Sequence, residues 1–132
     1  MFSRTVQALQ EAWPDRVKVF ETFYLAVFSD WVTKRYPDDG LISWEDYRQR
    51  VLATIEDLRR HGKSERIAVF TSGTPMGLYV QSALGLSLEK MMEVVAYLYH
   101  TNVTTLILKK EALVLETLNL TTHLSEIERT KR

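Results

Sequence analysis

Apolar residues recur at a helical period most clearly in the middle of the chain. Trp44, Tyr47, Val51, Ile55 and Leu58 follow at steps of three and four and draw one buried stripe along a helix. Ser43 stands at its N-cap, and Glu45 and Asp46 put negative charge at the positive end of the helix dipole. Arg59, Arg60 and His61 place basic groups in the last turn, and Gly62 suits a left-handed stop. Before this element, residues 3–13 predict a helix capped by Ser3, with Val6, Leu9 and Trp13 on one face and Pro14-Asp15 as its break. The β-branched residues at 17–20 predict a short strand, the aromatic-rich run 22–36 a helix, and Pro37-Asp38-Asp39-Gly40 a turn.

Downstream, the apolar run 67–71 predicts a strand, and 78–84 a helix that stops at Gly85. Ser87 caps a further helix whose Leu88, Met91, Met92 and Val95 face inward. Residues 103–108 and 112–118 predict strands joined as a hairpin by Lys109-Lys110-Glu111, and 125–132 a solvated tail. Strands that alternate with helices and end in a hairpin imply an α/β domain, helices against a mixed sheet. No repeat or linker divides the chain, so residues 1–132 read as a single domain.

Bulk composition narrows the function classes. With 132 residues, 45% of them apolar and 26% charged, the chain suits a soluble globular domain. Its 17 basic and 17 acidic residues cancel, which gives no global electrostatic case for nucleic acid or an anionic membrane. The lack of Cys excludes disulfides, thiolate catalysis and Cys-ligated zinc, and fits a reducing compartment. The start, Met-Phe-Ser-Arg-Thr, lacks the apolar core of a secretory signal, and no apolar run nears the roughly 18 residues of a membrane span, so the cytoplasm is expected. The triplets at Asn102 and Asn119 that match a glycosylation acceptor are then chance.

Candidate chemistry centres on Thr71-Ser72-Gly73-Thr74-Pro75, where the apolar run gives way to turn-forming residues ahead of a helix. The Ser72 hydroxyl and the amides of Gly73 and Thr74 would meet a phosphate at a helix start; the plainer alternative is that they only turn the chain. No His or Lys near Ser72 in sequence presents itself as its base. His100 and His123 follow no metal-ligand spacing and suit structural hydrogen bonds. Arg60-His61-Gly62 spells RHG, the signature of the histidine phosphatases, where it follows a hydrophobic strand. Here it follows Ile55-Glu56-Asp57-Leu58-Arg59, helical in period and charged at three of five places, so its expected job is helix capping.

The order of the other elements nevertheless resembles that superfamily, its phosphoglycerate mutase-like branch in particular. The helix that starts at Trp44-Glu45-Asp46-Tyr47-Arg48 is similar to the family's W-x-x-F-x-x-R segment. Ile67-Ala68-Val69-Phe70-Thr71-Ser72-Gly73-Thr74 resembles its apolar strand followed by Ser-His-Gly-Gly. Asn102-Val103-Thr104-Thr105-Leu106 and Asn119-Leu120-Thr121-Thr122-His123-Leu124 resemble its last two motifs, and Ser3-Arg4-Thr5-Val6-Gln7-Ala8 the end of S-x-L-x-R-A-x-Q-T-A. The resemblance implies a three-layer α/β sheet with helices on both faces, and phosphoryl transfer or phosphate-ester hydrolysis on small phosphorylated metabolites. It implies no cofactor and no metal.

Departures from the family pattern qualify the activity. The family mechanism uses a His nucleophile, cationic groups around the phosphoryl charge and a carboxylic acid for the leaving oxygen. The nucleophilic His and its adjoining Arg have no counterpart, because the matching part starts after them, and Ser72 stands at the second His position. What the resemblance carries over is Arg4, Ser72, Gly73 and Thr74 as candidate phosphate-binding residues and Glu21 as a remnant of the acid–base residue. The expectation is an incomplete, inactive domain that lacks the family's N-terminal strand. Its sheet would be open beside 67–71, which invites self-association. The alternative is a non-catalytic binding or oligomerisation module derived from the same fold.

Overall fold

The computed structural model describes residues 16–35, 40–61 and 65–130. Its elements are helices α1 (Arg16–Val32), α2 (Trp44–Arg59), α3 (Gly73–Leu84) and α4 (Leu88–Tyr97), strands β1 (Val103–Leu108) and β2 (Leu113–Leu120), and a 3-10 turn at Glu126–Glu128. Among the described residues the protein is therefore α/β, with four helices and a two-stranded antiparallel sheet. The chain divides into two units, Met1–Tyr47 and Arg48–Arg132. The helix expected at 3–13, its break at Pro14-Asp15 and most of the turn at 37–40 lie outside the described residues, as does the Gly62 stop.

In the first unit the strand expected at 17–20 does not form, because those residues are the opening of α1. A helical nucleus is costly and its extension is cheap, so a short β-branched run at the end of a strong helical pattern is absorbed into the helix. That pattern is aromatic. Tyr24, Phe28 and Trp31 lie on one side of α1 at steps of four and three, and Phe28 is buried. Phe28 meets Trp44 edge-on at a centroid distance of 4.9 Å, Trp31 meets Trp44 at 5.2 Å and Tyr47 at 5.2 Å. Such pairs add about 0.5–1.5 kcal/mol each beyond the area they bury. The Trp31 indole N–H finds its partner in the Ile42 carbonyl, 2.9 Å away. Ser43 caps α2 as expected: its Oγ accepts from the Asp46 amide at 3.1 Å and donates to the Asp46 carboxylate at 2.7 Å.

The second unit is built on α3. Leu78 and Val80 of α3 and Met91 and Val95 of α4 are fully buried, and Met92, Leu98 and Leu113 are buried as well. Gly77 permits the close approach of the two helices: a Cβ there would overlap Val95 Cγ2 and stand 3.2 Å from Met91 Cγ. Val51 and Ile55 bury the inner stripe of α2, and Thr54 Oγ1 shares a hydrogen bond with Tyr79 Oη at 2.5 Å. α3 starts at Gly73, five residues before the expected boundary, because Pro75 falls in a first turn whose amides have no helical partner in any case. It ends at Gly85, left-handed at φ 66°, whose amide reaches the Gln81 carbonyl at 2.8 Å. Ser87 caps α4 as expected, its Oγ accepting from the Lys90 amide at 3.2 Å.

The hairpin pairs Leu108 with Leu113, Ile107 with Val114 and Leu106 with Leu115. The register then slips twice, to Thr105 with Thr117 and Val103 with Leu120, so β2 runs two residues beyond the expected 112–118. The second slip ends at Asn119, whose φ is +59°. Its side chain spans the exit of α4: Oδ1 accepts from the Tyr99 amide at 2.9 Å, and Nδ2 donates to the Tyr97 carbonyl at 3.0 Å. Its amide donates to Thr104 Oγ1 at 3.2 Å, and Thr104 in turn donates to Asn102 Oδ1 at 3.1 Å. The two Asn motifs of the sequence thus meet in one polar knot. The tail is exposed but anchored, since the His100 amide donates to the Thr130 carbonyl at 2.9 Å and Ser125 and Glu128 form a capping box.

The strand expected at 67–71 is not formed. Residues 65–72 have no regular structure and every one of them is exposed, with Phe70 97% accessible. A strand exists only by pairing, and none of these residues takes part in the sheet.

Candidate functional site

The best-placed candidate is the start of α3. Ser72 is its N-cap, extended at φ −104° and ψ 175°, and makes no side-chain capping bond. Ser72 is exposed, and Gly73 and Thr74 are half-buried in the first turn. The Met76 amide is used within the turn, donating to the Ser72 carbonyl at 3.2 Å. Pro75 has no amide hydrogen to offer, so the first turn of α3 carries one backbone donor fewer than an ordinary helix start.

The other candidates are dispersed along the chain. Arg4 lies outside the described residues. Glu21 belongs to the second turn of α1, in the first unit, whereas Ser72, Gly73 and Thr74 belong to the second. Within the second unit, Ser72, Gly73 and Thr74 are consecutive at the start of α3.

All three histidines of the sequence, His61, His100 and His123, are exposed. Arg60 and His61 of the triplet sit at a helix end: α2 stops at Arg59, the Arg60 amide donates to the Asp57 carbonyl, and the His61 amide to that of Leu58. The Arg60 guanidinium lies 3.2 Å from the Asp57 carboxylate and His61 Nδ1 lies 3.4 Å from that of Glu65, so both side chains serve the surface of the helix terminus. His123 lies near Glu128, whose carboxyl is held below the usual carboxylate range. The Ser125 hydroxyl and amide, at 2.7 and 2.8 Å, are the main cause and the charge of His123 adds to it. Among the described residues no group of three His, Asp or Glu side chains gathers as metal ligands.

Sequence reasoning did not single out the Asn119 knot. Its signal was an Asn at the end of a strand run, a residue type that tolerates a left-handed backbone and can bond neighbouring amides.

An α/β chain with a serine-capped helix after an apolar run, and with two Asn-led motifs folded against each other, defines a class rather than an activity. Comparison with known families supplies the assignment. The histidine phosphatase superfamily (branch 1) matches residues 6–121, and the chain belongs to that superfamily. No curated protein and no solved structure matches it. No helix among the described residues is long and apolar enough to cross a membrane.

Proposed function

We propose that this chain is a phosphoglycerate mutase-like histidine phosphatase domain that does no phosphoryl transfer by itself. The observation that carries the reading is the placement of its histidines. His61 ends a surface helix, His100 and His123 are exposed, and Ser72 holds the place of the family's second His. A covalent route through phosphohistidine needs an imidazole facing the phosphate cradle, and the loss of even one charge-stabilising donor typically costs about 10² to 10³ in rate. In the complete parent the reaction is phosphoryl transfer or ester hydrolysis on a small phosphorylated metabolite, in the cytoplasm. Arg4, Ser72, Gly73 and Thr74 are the proposed phosphate contacts, and Glu21 is the remnant of the acid–base residue. The test is hydrolysis of a generic aryl phosphate from acid to mildly alkaline pH. The expected result is no turnover above background. Activity that survives repurification and disappears in Ser72→Ala would overturn the reading.

Residues 1–132 form, in this reading, one incomplete domain. Its three-layer sheet is completed by a strand from outside the described residues. The exposure of Ile67, Val69 and Phe70, in a run apolar enough for burial on both faces, supports it. The same observation favours a second reading, a binding or oligomerisation module that completes the sheet with another chain. Light scattering on the purified chain tests both: association or low thermal stability is expected. A monomer with a single cooperative, high-temperature melt would count against an open sheet in either reading.

A further inference from the structure

We draw no further inference here: the strongest candidate, the exposed apolar segment 67–70 ahead of α3, belongs to the reading already proposed, and nothing in the structure shows which chain covers it.

Discussion

Asn119 offers the sharpest test of how this chain holds its C-terminal half together. Three features converge on it: a left-handed backbone at φ 59°, two side-chain bonds to the exit of α4, and a backbone bond to Thr104. Replacement by Ala removes both amide bonds, each contributing about 0.5–1.5 kcal/mol net. The bond to Tyr97 is exposed and falls at the lower end, whereas the half-buried Tyr99 amide is left without its acceptor. Ala must also adopt the left-handed conformation, which costs about 1 kcal/mol. The sum is roughly 2–3 kcal/mol. Asn119→Gly loses the same two bonds but not the backbone strain, so its cost is about 1 kcal/mol less than that of Ala. Because the chain has two units, hydrogen exchange at the Tyr99 amide and the hairpin amides is a cleaner readout than a global melt. At about 1.4 kcal/mol per factor of ten, protection should fall by about 30- to 150-fold in Ala and by clearly less in Gly. If Ala leaves protection within a factor of two or so, or if Gly is worse than Ala, the knot does not hold the hairpin and the reasoning fails.

Two smaller changes probe the packing and the tail. Gly77→Ala should destabilise by about 1–2 kcal/mol in urea unfolding, since overpacking against Val95 and Met91 outweighs the gain in helix propensity, and Val95→Ala should relieve part of the loss. Glu128 should titrate below the usual carboxylate range by NMR, and Ser125→Ala should bring it back up. A lowered folded value means that its stabilising contribution is present above the unfolded pKa and lost as pH falls through the folded one. Anchoring of the tail should therefore weaken on acidification.

What the sequence disclosed and what it concealed divides along local and non-local physics. The α2 stripe, the Ser43 and Ser87 caps and the hairpin strands are written within a few residues of each other, and each is found close to where it is expected. The run at 17–20 reads as a strand in isolation because Val17, Val19 and Phe20 favour one, yet these residues carry less weight than the seventeen-residue helix that absorbs them. Gly73, Thr74 and Pro75 look like a loop in isolation, yet a helix start tolerates all three. The strand at 67–71 depends on a neighbour that its own residues cannot specify. The site follows the same rule. Resemblance pointed to Ser72, Gly73 and Thr74, and the structure makes them the N-cap and first turn of α3 rather than a loop.

The distribution of exposed apolar side chains bears on the surroundings of Ser72. In the second unit the helical core is closed: Leu78, Val80, Met91 and Val95 have almost no access to water. Exposure concentrates in residues of strand character. Ile67, Val69 and Phe70 are open in the 65–72 segment, and Val103, Ile107, Leu118 and Leu120 on the hairpin; of the other described large apolar residues in this unit, only Leu84, Tyr97 and Ile127 are comparably exposed. General looseness would open helices and strands alike, and a two-stranded sheet has little stability of its own without further strands or a helix on its face. Here α3 contacts the hairpin through β2. In the reading proposed above, what is unmet is sheet-forming capacity, next to the turn that carries Ser72. In a fold of this class catalytic groups gather outside the carboxyl ends of strands, at points set by strand order. Among the described residues the sheet has two strands, and in the reading proposed above the frame on which such groups converge is completed by a further strand. Inactivity and an open sheet are then one proposal with one physical cause. Completing the sheet without supplying a histidine should restore stability and leave the chemistry absent.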